Sequence, residues 1–280
     1  MRLDYFLPAP WAQDAFTMHA VVEHITAPRL EIIPAMLPNL FFRLAGHSRL
    51  ALDAGPLLDA PPVALIGPTR SAYRLLLDAG CRLAIIGFLP AGWARCLPMP
   101  AHECADTLVD GTAIWGQTAT DELLEHLQAG PLDGTHTGRI ERFLLSGLHR
   151  GSTTGLQRIA GIDAWLERSP ALCLDVLGAQ LDVGARQLRR ITLDHYGMSP
   201  KTLAMKYRAL RLASSLCRTP EPLTTAWPES YADQSHMIRD FRRFIGWTPQ
   251  AFRMEQRNTA AATLAGRRQA GARRPLALLS

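Results

Sequence analysis

Short hydrophobic runs recur about every ten residues between Leu30 and Phe88, and proline or glycine separates most of them. Runs of this length, rich in branched and aromatic residues and bounded by turn residues, are typical of β-strands. They are LEIIP from Leu30, NLFFRL from Asn39, RLAL from Arg49, VALIG from Val63, YRLLL from Tyr73 and RLAIIGF from Arg82. This spacing predicts a small antiparallel barrel or sandwich in the first part of the chain.

The hydrophobic period changes to that of helices after about Thr120. Two helical patterns, DELLEHLQ and RIERFLLSGLH, flank a break at Gly130 and Pro131. The small polar segment 150–155 is the best linker candidate. Helical patterns then continue to about Gln256, and the Ala-, Gly- and Arg-rich remainder has no hydrophobic period, which predicts disorder.

The strongest helical pattern lies between Gln234 and Ile245. Its hydrophobic residues fall on one side of a helix: Met237, Phe241 and Phe244. Its polar residues fall on another side: Ser235, Arg239 and Arg242. One side can therefore pack while the other presents guanidinium and hydroxyl groups, as a helix in a DNA major groove requires.

A similar pattern occurs earlier in the chain. Gly197-Met-Ser-Pro200 and Gly246-Trp-Thr-Pro249 lie 49 residues apart, and each follows a basic helix that glycine would end. At this offset Arg190 corresponds to Arg239. The segment from Pro200 to Arg218 predicts a connecting helix of roughly 28 Å. Successive major grooves on one face of DNA lie about 34 Å apart, so the two basic helices can reach adjacent grooves.

The charge is distributed unevenly along the chain. Residues 1–155 contain 11 arginines and 15 Asp and Glu, whereas residues 156–257 contain 15 Arg and Lys and 10 Asp and Glu. The remaining residues add 4 arginines and no acidic residue. An acidic front and a basic back suggest a partner-sensing part joined to a part that binds a polyanion.

Residues Ile159 to Gln256 resemble the DNA-binding unit of the AraC family of bacterial transcription regulators. The resemblance is strongest in YADQSHMIRDFRRFIGWTP and extends to the upstream RQLRR. It implies two helix-turn-helix motifs joined by a long helix, with recognition helices at about Ala185–His195 and Gln234–Ile245. The implied DNA-binding residues are Arg186, Arg189, Arg190, Gln234, Ser235, His236, Arg239 and Arg242.

Three residues depart from the family pattern. Gly184 occupies a position where the family usually has a capping serine, which weakens the start of the first recognition helix. Thr192 replaces a usual core phenylalanine. Pro228 lies in the helix that should support the second recognition helix, and an interior proline costs about 3 kcal/mol. We therefore expect the second motif to bind DNA less firmly than the first.

The front of the chain resembles, more loosely, an uncharacterised domain that precedes many AraC-type DNA-binding units. The matching segments are Gly87–Gly92 and Leu108–Asp110. We predict an α+β protein: a β-rich domain, of which a cupin-like fold is one form, followed by an all-α double helix-turn-helix domain. The predicted units are a sensing or dimerisation domain (1–118), a helical connector and linker (119–155), the DNA-binding domain (156–256) and a basic disordered tail (257–280).

Other kinds of site have little support in the sequence. The five cysteines form no CxxC pair, which indicates free thiols in a reducing cytoplasm. Cys96, His102, Glu103 and Cys104 fit no structural zinc spacing, and no cofactor is predicted. Trp11, Trp93 and Trp115 are candidates for a ligand pocket, although such residues more often belong to the core. The catalytic motifs GxSxG, HExxH and the Walker phosphate loop are missing from the sequence, as are a secretory signal and a hydrophobic run long enough for a membrane.

The sequence therefore predicts a cytoplasmic bacterial transcription regulator that binds double-stranded promoter DNA and is not an enzyme. The resemblance implies activation, contact with RNA polymerase, and an N-terminal domain that binds a small-molecule effector or forms a homodimer. Two alternatives remain open. The first is a ligand-independent regulator whose N-terminal domain binds protein partners, and the second is an N-terminal enzyme fused to a DNA-binding unit.

Overall fold

The structure, a computed structural model, describes residues 1–23, 25–52, 55–146, 153–168, 173–217, 231, 233–254 and 259–271. Its strands are β1 (Arg2–Phe6), β2 (Phe16–Glu23), β3 (Arg29–Ile33), β4 (Asn39–Ala45), β5 (Ser48–Ala51), β6 (Leu58–Asp59), β7 (Val63–Ile66), β8 (Tyr73–Leu77), β9 (Arg82–Phe88) and β10 (Leu108–Asp110). Its α-helices are α1 (Pro90–Cys96), α2 (Thr112–Trp115), α3 (Gln117–Ala129), α4 (Gly134–Ser146), α5 (Thr153–Arg168), α6 (Leu174–Leu181), α7 (Ala185–Tyr196), α8 (Pro200–Leu216), α9 (Gln234–Ile245), α10 (Pro249–Met254) and α11 (Thr259–Gln269). A 3₁₀ helix spans Ala101–Cys104.

The strands form two antiparallel sheets in the order β1-β2-β9-β4-β7-β10 and β3-β8-β5-β6. All six runs predicted as strands are strands, and the β-rich start followed by a helical remainder is confirmed. The strands of the described residues divide between two separate sheets. Of the two predicted architectures, barrel and sandwich, the observed fold therefore resembles the sandwich more. Strand β2 was not among the predicted runs, although its residues FTMHAVVE are buried along most of their length.

Three groups of buried hydrophobic residues form the core. One lies between the two sheets and includes Phe41, Leu75 and Leu83. A second fills the space between the larger sheet and α1, α3 and α4. The third belongs to the C-terminal helices but also contains Leu37 and Leu89 of the N-terminal part. The two parts of the chain therefore share a packed core.

A buried polar cluster attaches α4 to the larger sheet. His19 Nε2 lies 2.9 Å from Glu141 Oε1, and both side chains are almost completely buried. The backbone N–H of Ala9 also donates to Glu141. Burial lowers the pKa of His19, and the hydrogen bond to the Glu141 carboxylate opposes that shift only in part. Glu141 therefore has a structural role in α4.

The prediction of disorder after residue 256 is wrong for Thr259–Gln269, which form α11. Leu264 is only 7% exposed and Arg267 only 5% exposed. The alanine-rich sequence has high helix propensity, and contacts with β1 and β3 supply the packing that a short helix needs. These contacts come from residues over 200 positions earlier in the chain, so local periodicity could not show them. Within the described residues, no helix is both long enough and hydrophobic enough to cross a bilayer.

Two smaller expectations also change. The proposed linker 150–155 lies partly outside the described residues, and from Thr153 the chain is already in α5. The connecting helix predicted from Pro200 to Arg218 ends earlier, at Leu216 of α8. Cys217 lies just beyond the end of α8, at its C-cap.

Candidate nucleic-acid interface

Helices α6 and α7 form the first helix-turn-helix unit. Asp182 ends α6 in the left-handed conformation, with φ of 49°, and the Val183 N–H donates to the Gly178 carbonyl. Gly184 precedes α7 and gives it no side-chain cap, as the sequence indicated. The tight turn therefore orients α7 through backbone geometry and packing of its hydrophobic side.

Helix α7 presents its arginines to solvent. Arg186, Arg189 and Arg190 are exposed, while Leu188 is only 4% exposed and packs in the core. Thr192 is fully buried, and its hydroxyl donates to the Arg189 carbonyl at 3.1 Å. Because that hydrogen bond satisfies the hydroxyl, threonine is accommodated where the family usually has phenylalanine.

Helix α8 connects the two recognition helices. Ser199 caps it by accepting a hydrogen bond from the Thr202 N–H, and Pro200 occupies the first turn as predicted. Its length of 17 residues corresponds to roughly 25 Å, slightly shorter than expected. Ten of its residues are buried, so the helix is held firmly and can fix the separation of its neighbours.

Helix α9 begins at a strong N-cap that the sequence interpretation missed. Asp233 Oδ1 accepts a hydrogen bond from the His236 N–H at 2.8 Å. Asp233 Oδ2 also lies 2.6 Å from His236 Nδ1. The backbone hydrogen bond from His236 holds the pKa of Asp233 below its usual range. An aspartate immediately before a helical pattern is a recognised start signal, so this cap was predictable.

The remaining side chains of α9 separate as the pattern predicted. Met237, Phe241 and Phe244 are buried. Gln234, Ser235, His236, Arg239 and Arg242 are exposed. All eight predicted DNA-binding residues are thus on the solvent side of α7 or α9, and His236 also contacts the carboxylate of Asp233.

An ion pair within the domain fixes α9 against α8. Arg208 on α8 lies 3.9 Å from Asp240 on α9, and its guanidinium stacks over the Tyr231 ring at 5.0 Å. Burial raises the pKa of Asp240, while Arg208 opposes that shift. The sequence interpretation did not identify this pair, because its members are 32 positions apart. The predicted effect of Pro228 lies outside the described residues.

The N-terminal part contacts the C-terminal end of α9. The Ala35 N–H donates to the Phe244 carbonyl at 2.7 Å, and the Ala72 N–H donates to the Arg243 carbonyl at 2.8 Å. Arg243 Nε also donates to the Arg70 carbonyl. Arg243 is therefore attached to the N-terminal part.

The two glycines that end the recognition helices also face the N-terminal part. Gly197 and Gly246 have φ of 72° and 87°, the left-handed caps that the sequence predicted. A Cβ on Gly197 would lie 2.2 Å from Pro68, and one on Gly246 would lie 2.3 Å from Ile32. The C-terminal ends of both helices are therefore covered, while their N-terminal ends remain open.

Lys206 anchors α8 to the N-terminal part. Its ammonium donates to the Met36 carbonyl at 2.6 Å and to the Thr69 carbonyl at 3.3 Å. The residue is fully buried, and burial lowers the pKa of the ammonium to about 7, although Asp106 opposes the shift. The interdomain interface thus includes a lysine that titrates near neutral pH.

A second candidate site is a mainly apolar cavity of about 80 Å³ in the β-rich part. Its walls come from both sheets and include Val22, Phe41 and Leu75. Polar groups also line it: Tyr5, Glu31, Asn39, Tyr73, Thr263 and Arg267.

The tryptophans proposed as pocket residues do not line this cavity. Trp93 is only 1% exposed and donates to the Met99 carbonyl, so it belongs to the core. Trp11 is 53% exposed, and Trp115 packs against Phe143. Within the described ranges, no three His, Cys, Asp or Glu side chains form a metal-binding group.

Comparison with known proteins gives one family match and several distant structural similarities. Residues 177–255 match the model of a helix-turn-helix domain. No curated protein matches the chain. A crystal structure of ToxT from Vibrio cholerae at 1.65 Å is 11% identical, with a TM-score of 0.49, and the alignment covers 86% of this chain and 98% of ToxT.

Two further solved structures are also only remotely similar to this chain. The unsaturated-fatty-acid-bound ToxT of Vibrio cholerae strain SCE256 is 12% identical, with a TM-score of 0.49 and coverage of 86% of this chain and 96% of that chain. The AraC-like transcriptional activator CuxR is 13% identical, with a TM-score of 0.33 and coverage of 75% and 86%. The family match agrees with the motif resemblance and with the geometry of α6 to α9. Residues 177–255 are therefore an AraC-type helix-turn-helix domain.

Proposed function

We propose that the protein is a transcription regulator that binds a specific promoter sequence through α7 and α9. One observation supports this most directly. Both helices bury their hydrophobic side and C-terminal end while their arginines remain exposed. A helix needs this arrangement to enter a major groove with its N-terminal residues near the base edges.

In this proposal, some of the exposed arginines contact phosphates and others contact bases. Arg189 and Arg190 are consecutive residues of α7, and Arg239 and Arg242 are three residues apart on α9. In each pair, one arginine can contact a phosphate while the other contacts a base. Phosphate contacts supply much of the affinity and make it depend on salt. Arginine forms two hydrogen bonds with guanine, which makes guanine the preferred base at these positions.

The N-terminal part acts, in this proposal, as the sensor. Its cavity has a mostly apolar lining with a few polar groups, as small-molecule sites do. The cavity favours an effector over the alternative of a domain that binds only proteins. By family resemblance we also propose that the protein activates transcription, contacts RNA polymerase, functions in a bacterial cytoplasm and can act as a homodimer.

In vitro selection of bound DNA by the full-length chain tests this function. We expect enrichment of a defined sequence, with binding that weakens strongly between 50 and 200 mM salt. Selection that yields no sequence preference would contradict the proposal. Turnover of a small metabolite by the chain would instead support an N-terminal enzyme.

A further inference from the structure

His236 lies in the first turn of α9, and its ring contacts the side chain that caps this helix. Asp233 Oδ2 is 2.6 Å from His236 Nδ1, while Asp233 Oδ1 accepts the His236 backbone N–H at 2.8 Å. One carboxylate therefore holds both the backbone and the ring of the same residue. The side chains of His236 and Asp233 remain 60% and 50% exposed, so the ring is oriented but stays accessible to a partner.

This contact determines which ring nitrogen of His236 carries a proton. Hydrogen bonds from the backbone and then the side chain of His236 hold the pKa of Asp233 below its usual range, so the carboxylate is ionised near neutral pH. An ionised carboxylate only accepts hydrogen bonds, and Nδ1 must therefore be the donor. Nε2 is the nitrogen left for another partner. It accepts a hydrogen bond when the ring is neutral and donates one when the ring is an imidazolium.

A second carboxylate lies one turn further along the same helix. His236 interacts electrostatically with Asp240, which is only 8% exposed. Three arginines also surround Asp240: Arg208 of α8, and Arg239 and Arg243 of α9. Because these arginines balance the charge of Asp240, Asp233 is the carboxylate that acts most directly on the His236 ring.

The exposed Asp233 carboxylate lies beside residues that are proposed to contact DNA. Arg239 follows His236 by three residues, so their side chains are neighbours on the exposed surface of α9. Most hydrogen bonds between proteins and DNA go to phosphate or sugar oxygens. A phosphate that approached this surface would be repelled by a bare carboxylate. An imidazolium placed between the two anions removes that repulsion and donates a charge-assisted hydrogen bond to each.

We propose that His236 binds DNA as an imidazolium that links the Asp233 carboxylate to a phosphate oxygen, so that the protein takes up a proton when it binds DNA. This inference rests on the proposed DNA-binding function and specifies how one residue of that site acts. Nδ1–H donates to Asp233 and Nε2–H donates to the phosphate. The second anion favours the charged ring, so the complex holds more protons than the free protein and its affinity increases as the pH falls.

The proton uptake is tested by measuring affinity for the selected DNA at pH 6.0 and pH 8.0, at constant ionic strength. We expect wild-type binding to weaken at least about fivefold over this range, because uptake of one proton changes affinity by up to about tenfold per pH unit. His236→Gln keeps a side-chain donor that does not titrate, and its affinity should change less than about twofold. Equal pH dependence in the wild type and His236→Gln would overturn the proposal.

His126→Gln is the matched control for this measurement. His126 is also an exposed histidine, but it lies on α3, outside the helix-turn-helix domain. The His126→Gln variant should retain the pH dependence of the wild type. Loss of the pH dependence in this variant would show that it does not originate at His236.

Asp233→Asn tests the carboxylate as a positioning residue. Asparagine caps helices as well as aspartate does, so α9 should still form, but the negative charge beside the ring is removed. We expect the pH dependence of DNA affinity to move to lower pH by about one unit or more. A cap with only a structural role would leave the pH profile in place, so an unshifted profile would contradict the role of Asp233.

Salt dependence distinguishes a phosphate contact from a base contact. At pH 6.0, His236→Gln should weaken binding to all sequences alike and reduce the slope of log affinity against log salt by about 1. Relaxed preference at one base position with an unchanged slope would instead place Nε2 at a base edge and overturn the phosphate assignment. DNA selection without any sequence preference contradicts the proposed function, whereas specific binding that does not depend on His236 contradicts only this inference.

Discussion

Arg190 and Arg239 occupy equivalent positions on the two recognition helices, and both are exposed. We expect Arg190→Ala or Arg239→Ala to cost about 1–3 kcal/mol of DNA-binding free energy and to relax the preference at one base position. Competition titrations with single-base variants of the selected site would measure both effects.

Arg139→Ala is the matched control for these variants. Arg139 is also exposed but lies on α4, away from the helix-turn-helix domain. The Arg139→Ala substitution should leave DNA affinity and sequence preference unchanged. Operator binding by both recognition-helix variants equal to that of Arg139→Ala would show that these arginines do not contact bases.

Lys206 gives the stability of the protein an unusual pH dependence. Burial lowers its pKa to about 7, whereas an unfolded lysine has a pKa of about 10.4. Between these values the unfolded chain binds more protons than the folded chain, so this residue makes stability increase with pH. Below about pH 7 the ammonium is protonated in both states and the dependence ends.

Urea unfolding at pH 7.5 and 9.5 therefore distinguishes the wild type from Lys206→Met. The wild-type free energy of unfolding should rise more steeply with pH, by up to about 1.4 kcal/mol per pH unit. Other titrating groups are common to both proteins, so the difference in slope isolates Lys206. Identical slopes would show that Lys206 is not buried at the interface in solution.

Local sequence patterns identified which side chains of the recognition helices are buried. Met237, Phe241 and Phe244 were predicted to lie on the packing side, and their burial confirms this. The pairing of Arg208 with Asp240 was not predictable in the same way. Its members are far apart in sequence, and both belong to types that usually face solvent.

At the scale of elements, the glycines that end α7 and α9 have two roles, of which the sequence showed one. Both supply a left-handed cap, and both allow close contact with the N-terminal part. We expect Gly246→Ala to destabilise the protein because its Cβ would lie 2.3 Å from Ile32 and because alanine is strained at φ of 87°.

Gly80→Ala separates these two effects. Gly80 also has positive φ, of 76°, but no atom lies within 4 Å of the position its Cβ would take. Gly80→Ala should lower the free energy of unfolding by about 1 kcal/mol, through backbone strain alone. Gly246→Ala should cost at least about 1 kcal/mol more, measured as free energy of unfolding in urea. Equal losses of stability in Gly80→Ala and Gly246→Ala would mean that the N-terminal part does not pack closely against the end of α9 in solution.

Helix α11 illustrates the limit of element prediction from sequence. Its residues TAAATLAGRRQ have no clear hydrophobic side, so they were predicted to be disordered. The helix is nevertheless packed through Leu264, Gly266 and Arg267, which meet partners on α8 and β1. Helix propensity alone does not stabilise eleven residues in water, but tertiary contacts do.

At the scale of the whole molecule, the two recognition helices should bind one continuous site. Helix α8 joins them, and its buried residues hold it in place. We expect selected DNA to contain two preferred blocks whose centres lie about 10 base pairs apart, one helical turn. Arg190→Ala should alter one block and Arg239→Ala the other. Selected sites with a single block would show that only one motif contacts bases.

The sequence by itself determined the features that depend on neighbouring residues. Hydrophobic period predicted six of the described strands and the two recognition helices, and Gly197 and Gly246 predicted where those helices end. These features are local because hydrogen bonding, capping and side-chain direction repeat over a few residues. The tertiary structure alone decided how distant segments meet: Ala35 with Phe244, Lys206 with Met36, and Arg267 with the cavity. Such contacts depend on the packing of whole surfaces, which no short segment of the chain specifies.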